Sequence, residues 1–184
     1  MKNNMQTIFS TEVWGFILND QHYQSLDYVD TILDMKKNVA SVKKSNFGGW
    51  QSDDLIHENY GIFREFTSSS NTIANNILAD YNCKPVRVKE MWANVNGHAN
   101  FNGAHTHSGI LSGVFYLHVP ANSGRLIFVN PAVRSDGHLL RKSNYAVNPE
   151  RLACIMFPSW LEHYVEPNLS DEERISISFN IGVA

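Results

Sequence analysis

The sequence predicts a mainly β fold, an antiparallel sandwich or barrel with two helices packed on its outside. Two observations predict it. From residue 85 onward, short β-rich segments alternate with turn residues: VRVKEMWANVN, LSGVFYLHV, GRLIFV, RLACIMFP and RISISFNIGV. Helical periodicity is confined to two stretches upstream, and no repeat, low-complexity tract or long linker divides the 184 residues. The chain is therefore read as one domain over 1–184, with 1–84 as a helix-containing support and 85–184 as the β core.

Taken in order, IFSTEVWGFIL reads as a strand. NDQHYQSLDYVDTILDMKK reads as an amphipathic helix capped by Asn19 or Asp20, with Leu26, Val29 and Leu33 on one stripe. SNFGGWQSDDL, with Gly48 and Gly49, is a loop or tight turn. It is either a mobile substrate loop with Trp50 and Gln51 near the mouth of a site, or a plain connector. SSSNTIANNILADYN is a second helix, with Ile73, Ala74, Ile77, Leu78 and Tyr81 at helical spacing behind a serine cap. Among the strands, alternation matters more than number. In RISISFN, Arg174, Ser176, Ser178 and Asn180 share one face, and Ile175, Ile177, Phe179 and Ile181 the other. In MWANVN, Trp92, Asn94 and Asn96 oppose Met91, Ala93 and Val95. Either the polar faces meet water, or they line a ligand-holding interior while the apolar faces are covered from outside. Periodicity leaves both open.

Composition excludes several functions. A net charge of -3 and no basic run beyond KK pairs give no nucleic-acid footprint. Two cysteines, Cys83 and Cys154, supply neither a disulfide framework nor a thiolate metal site, and Cys154 in LACIMF reads as a small buried hydrophobe. The start MKNNMQTIF lacks a signal peptide's apolar core, and no stretch approaches membrane-spanning length. A cytoplasmic location without a membrane partner is expected; monomer and homodimer both stay open.

The residues that carry chemistry begin in FNGAHTHSGILSGVFYLHV. On extended backbone His105 and His107 point to the same side, and neutral imidazoles pack poorly but ligate metals well. The alternative is a solvent-facing loop before a strand. A third histidine, His163, follows a buried-looking strand and a Pro-Ser turn, and Arg174 opens the last strand with Ser176 two residues on. The order HxH, His, Arg is that of ligands in double-stranded β-helix metalloenzymes. Non-haem Fe(II) oxygenases among them leave one face of the metal open for co-substrate and oxygen. The arginine fork there pairs with the distal carboxylate of 2-oxoglutarate, and Ser176 can donate to the same group. Asn94 and Tyr116 are candidate donors to the co-substrate, with a core role open for Tyr116. Trp92 is either a pocket wall or core. His22, His57, His98, His118 and His138 show no partner spacing and read as surface or packing residues.

Together, WANVNGHANFNGAHTH, LSGVFYLHVP, FPSWLEHYVEP and ERISISFN, with SNFGGWQS upstream, resemble a family of small 2-oxoglutarate/Fe(II)-dependent oxygenases of bacteria and of phages of marine bacteria. The resemblance covers most of residues 45–183. It implies a double-stranded β-helix of the jelly-roll, cupin-like kind. It also implies Fe(II), 2-oxoglutarate as co-substrate, O2, and hydroxylation of an unknown prime substrate, peptidyl by analogy with related hydroxylases. For a phage-encoded member the location is the host cytoplasm. Carried onto this chain, His105 and His163 are iron ligands and Arg174 holds 2-oxoglutarate. His107 stands where the superfamily usually has aspartate or glutamate, which removes one negative charge from around the metal. Glu162 faces the opposite way on an extended segment, so His107 is the expected third ligand. Two rival readings remain. A cupin carries a glutamate a few residues past HxH, in the region where this chain has Leu111 and Ser112, and a glycine where it has Trp160. Such a cupin would ignore 2-oxoglutarate. A non-catalytic β-helix binding protein would hold no metal at all.

Overall fold

A computed structural model describes residues 9–18, 23, 27–56, 63–81, 83–132 and 142–184. Its elements in chain order are β1 (Trp14–Ile17), α1 (Tyr28–Asn38), β2 (Asn46–Phe47), β3 (Trp50–Gln51), α2 (Phe63–Leu78), β4 (Val86–Asn96) and β5 (Phe101–His105). They continue with β6 (Leu111–His118), β7 (Leu126–Val129), β8 (Asn144–Val147), β9 (Ala153–Pro158), β10 (His163–Val165) and β11 (Arg174–Val183). Two antiparallel sheets result, a six-stranded one ordered β1-β9-β6-β11-β4-β3 and a five-stranded one ordered β2-β5-β10-β7-β8. The longest strands, β4 and β11, pair from Arg174 opposite Asn96 to Val183 opposite Val86, with one irregularity after Asn180.

The six-stranded sheet has two unlike faces. Met91, Ala93 and Val95 of β4, Phe115 of β6, and Ile175, Ile177, Phe179 and Ile181 of β11 belong to the main core with Ile32 and Met35 of α1 and Phe63, Phe66 and Ala74 of α2. Phe66 sits 4.9 Å from Phe115, ring centre to ring centre. The helices thus cover the apolar face, and the polar face turns toward the five-stranded sheet. A smaller cluster built on Leu126, Phe128, Ile155, Phe157 and Leu161 fills part of the space between the sheets. Of the two ways to place the polar strand faces, the structure adopts the interior one. Cys154 is fully buried.

The helices differ from expectation in register. α2 begins by Phe63, so Ser68 to Ser70 lie inside it and cap nothing. Ser70 Oγ donates instead to the Phe66 carbonyl one turn back, at 2.7 Å. The buried stripe runs Phe63, Phe66, Ser70, Ala74, Leu78, and Tyr81 is exposed beyond its end. In α1 the buried stripe is Tyr28, Ile32 and Met35, with Val29 and Leu33 beside it. Asp27 stands at its N-cap position; Asn19, Asp20 and Leu26 lie outside the described residues.

The glycine pair in SNFGGWQS is a crossing between sheets. β2 pairs with β5 and β3 with β4, so the chain passes from one sheet to the other in two residues. Gly48 has φ +78°, a left-handed conformation that favours glycine. Both flanks are tied into ladders, so this segment is a pinned crossover, not a loose substrate loop. Among the described residues no helix is long and apolar enough to cross a membrane.

Phe66 seals the helical layer against the sheet and is fully buried. Phe66→Ala is expected to lower unfolding stability by about 3–5 kcal/mol, read as a fall in the urea midpoint.

Candidate metal and co-substrate site

His105 ends β5 and His163 begins β10, and the two are direct cross-strand partners in the five-stranded sheet. His107 lies two residues past the end of β5, its backbone N–H held by the Ser159 carbonyl at 2.9 Å. The three ring centres stand 4.4 to 5.1 Å apart. One ligand nitrogen from each lies within 4.8 Å of the others, and among the described residues no carboxylate or thiol joins them. Glu162, just before β10, is exposed and is not part of the cluster.

The carbonyl oxygens of Gly103 and Leu161 accept from Nδ1 of His105 and His163 at 2.7 and 2.8 Å. A carbonyl only accepts, so Nδ1 of these two rings carries the proton and Nε2 is left with the lone pair a metal would use. Burial pushes all three imidazoles below their ordinary 6.5, His107 to about 4 and His163 to about 3. They are neutral at pH 7, the form that binds a metal. Phe157 lies edge-on to His163 at 4.6 Å, and Trp92 stands 5.7 Å from His107.

Beside the triad a narrow cavity of about 60 Å³ runs between the sheets toward Arg174. Register explains its lining. Asn94 on β4 faces Ser176 on β11, which faces Tyr116 on β6, so three polar groups form one row across three strands. The next row is Trp92, Ser178 and Val114, and all six side chains reach the cavity. Arg174, 2% exposed, lies beyond the first row. Its Nη1 donates to the Ser123 carbonyl and lies 3.4 Å from that of Gly124. Gly124 has φ +84°, and a Cβ there would stand 2.3 Å from the Glu166 carbonyl, so the turn that grips the guanidinium requires glycine.

Among the described residues no carboxylate pairs with Arg174. The Ser176 and Tyr116 hydroxyls likewise have no hydrogen-bond partner there. Burial raises the Tyr116 pKa to about 12 despite the nearby guanidinium, so the phenol keeps its proton and can donate. A buried cation with hydroxyl donors beside it and no anion is the complement of a carboxylate-bearing ligand.

Of the residues singled out in the sequence, His105, His107, His163, Asn94, Tyr116, Arg174, Ser176 and Trp92 come together around this cavity. Gln51 lines a second, wider groove that shares His105, His107 and Trp92. Trp50 does not join them. It is 7% exposed in the main core and its indole N–H donates to the Val39 carbonyl at 2.9 Å, because neighbours on a strand face opposite ways. Trp50 is a packing residue. His98 and His118 lie apart, against Ser170 and Glu172; His22, His57 and His138 fall outside the described residues. Sequence reasoning missed Ser45, Asn102, Leu126, Phe157 and Val165 as lining residues. Only Asn102, on the strand that ends at His105, carried a local hint.

Two antiparallel sheets enclose an HxH pair and a later histidine on neighbouring strands, with a buried arginine between them, and this architecture is a double-stranded β-helix whose interior could hold a metal. Residues 90–180 match the model of the family described as "Putative 2OG-Fe(II) oxygenase". Among solved structures, the α-ketoglutarate-dependent epimerase SnoN from nogalamycin biosynthesis superposes with TM-score 0.75 at 15% identity, over 95% of this chain and 78% of that one. A Pseudomonas putida prolyl-4-hydroxylase gives TM-score 0.68 at 14% identity, over 95% and 94%. HygX from Streptomyces hygroscopicus, with nickel, 2-oxoglutarate and hygromycin B bound, gives TM-score 0.64 at 11% identity, over 95% and 84%. These likenesses establish the fold. No curated protein sequence matches the chain.

The depressed imidazoles set a sign for pH dependence. The unfolded chain binds protons at these histidines below about pH 6.5, whereas the folded chain resists until about 4 at His107 and 3 at His163. Stability of the metal-free protein is therefore complete above pH 6.5 and falls progressively as pH drops toward 3. Urea midpoints measured across that range are expected to show this slope, and H107Q/H163Q to flatten it.

Proposed function

We propose that the protein is an Fe(II)- and 2-oxoglutarate-dependent oxygenase whose reaction is hydroxylation of a prime substrate. The observation that carries this reading is the buried Arg174 guanidinium, without a carboxylate partner among the described residues, across a narrow cavity from three neutral histidines. The donor set suits the metal: three imidazoles on one side leave the remaining positions open, as the oxygenase chemistry requires. His105, His107 and His163 would hold the ion, and Arg174 with Ser176 and Tyr116 would hold the far carboxylate of 2-oxoglutarate. Asn94, in the same row, would donate to the co-substrate, and Trp92 walls the space next to His107. When bound, the iron and the keto acid supply oxygen activation coupled to oxidative decarboxylation, so that substrate C–H, 2-oxoglutarate and O2 give the alcohol, succinate and CO2.

The protein's own part is placement. The Gly103 and Leu161 carbonyls fix the His105 and His163 rings so that Nε2 atoms converge. The turn at Ser123 and Gly124 holds the guanidinium, and Leu126, Val165 and Phe157 supply the apolar part of the cavity lining. The cupin reading leaves Arg174 without a role. A P. putida prolyl-4-hydroxylase and the antibiotic-pathway epimerase share the fold, so the product distinguishes hydroxylation from other oxidations.

The experiment is anaerobic titration of 2-oxoglutarate into the Fe(II)-loaded protein, read by the weak visible charge-transfer band of the chelate. Wild type is expected to give the band. R174A is expected to raise the Kd about a hundredfold or more, corresponding to loss of about 3 kcal/mol of charged hydrogen bonding. H107A is expected to weaken iron retention itself. Iron binding without the band would favour the cupin reading instead.

A further inference from the structure

A second space opens on the outer side of the triad, a groove of about 690 Å³ that shares His105 and His107 with the narrow cavity. Its character is different. Asp53, Asp54 and Glu90 line it, against one cation, Lys44. Each carboxylate is oriented through one oxygen: Asp53 Oδ1 accepts from the Asp54 N–H, Asp54 Oδ1 from the Ile56 and Met91 N–H groups, and Glu90 Oε2 from Asn180 Nδ2. Among the described residues none of the three pairs with a lysine or arginine. Three carboxylates against one lysine leave the groove with a net negative charge, carried by the exposed Asp53 and Glu90 and the half-buried Asp54.

A second, independent feature marks the groove as a binding site. Gln51 is 7% exposed and lines it, yet its side-chain amide has no hydrogen-bond partner among the described residues. Only its backbone is engaged, with Ser41 Oγ and the Val42 N–H. The amide's polar atoms are not sealed from solvent and open into the groove, where a ligand group can take the place of water. Aromatic surface completes the lining. Phe47, 55% exposed, stacks on Phe101 at 4.6 Å, and Trp92 forms the wall next to His107.

We propose that this groove selects a prime substrate bearing a protonated amine or guanidinium, seated against Asp53 and Glu90 with a hydrogen-bonding group opposite Gln51. The inference rests on the oxygenase reading for the word substrate, and goes beyond it in naming the chemistry selected. Carboxylates attract the cation, the faces of Phe47 and Trp92 tolerate it through cation–π contact, and the Gln51 amide rewards a neighbouring carbonyl or hydroxyl. The basic group can belong to a peptide side chain or to an amino sugar, which share this chemistry.

The test uses the full chain loaded with Ni(II) and 2-oxoglutarate, and reads binding by calorimetry, without turnover. The probes are N-acetyl-lysine methylamide, N-acetyl-arginine methylamide and 2-deoxystreptamine, with the capped norleucine and glutamate amides as neutral and acidic comparators. At least one cationic probe is expected to bind ten times or more tighter than both comparators, and to weaken with added salt. D53N/E90Q, which keeps each oriented oxygen as an acceptor, is expected to remove that preference, and Q51L to weaken the preferred probe. Tighter binding of the capped amino acids identifies a peptide source, and tighter binding of 2-deoxystreptamine an amino-sugar source. Equal binding of norleucine and lysine probes, no binding by any probe, or an unchanged preference in D53N/E90Q overturns the proposal. Titration of 2-oxoglutarate itself into the Ni(II)-loaded protein keeps the two readings apart: no 2-oxoglutarate binding sinks the oxygenase reading, whereas loss of cation preference with 2-oxoglutarate still bound sinks only this one.

Discussion

Burial of the apolar face of β11 dictates where its other face goes. Ile175, Ile177, Phe179 and Ile181 are taken up beneath the two helices, where each is 2% exposed or less. At about 25 cal/mol per Å² of apolar surface, a run of four such side chains is too favourable to turn outward. Period-two alternation then commits Arg174, Ser176 and Ser178 to the space between the sheets. β4 and β6 obey the same constraint on either side, and antiparallel register lines up their inward residues as rows. The cavity is thus a consequence of the helical cover: a sheet with one sealed face has to place its polar residues inside once a second sheet closes over the other.

Holding a guanidinium there is costly, of the order of several kcal/mol for an ion removed from water. The turn at Ser123 and Gly124 offsets part of it by offering two carbonyl oxygens, and its left-handed glycine lets the backbone approach closely enough to do so. What remains unbalanced is the positive charge. Stability alone gives no reason to keep such a group, since an apolar side chain of similar volume would serve the core as well. A site that receives a carboxylate gives one.

The histidines solve the complementary problem. Burial keeps them neutral, and two backbone carbonyls two residues upstream of their own rings choose the tautomer. His105 and His163 obtain this from cross-strand pairing, while His107, beyond the strand end, is positioned through its backbone and the Ser159 carbonyl. The triad stands between two spaces of opposite electrical character. On one side is a narrow cavity ending in a cation, and on the other a wider groove walled by carboxylates.

Much of this is local and was legible in the residues. The alternation of VRVKEMWANVN and RISISFNIGV specifies two strands whose observed ends coincide with those segments, and HxH, His163 and Arg174 stand out as candidate site residues, because side-chain type and period-two spacing are properties of short stretches. The helix registers were less legible: the serines before Asn71 look like a cap, but the burial of Phe63 and Phe66 against the sheet extends α2 past them. Trp50 and Gln51 show the limit most clearly. Adjacent in sequence, they were one candidate pair; pairing of β3 with β4 sends the indole into the core and the amide into the groove. Strand composition therefore specified which residues could act. Which face turned inward, which strands became neighbours, and which carboxylates came to line the groove beside the triad were settled by long-range packing, since these depend on contacts between segments 37 to 90 residues apart.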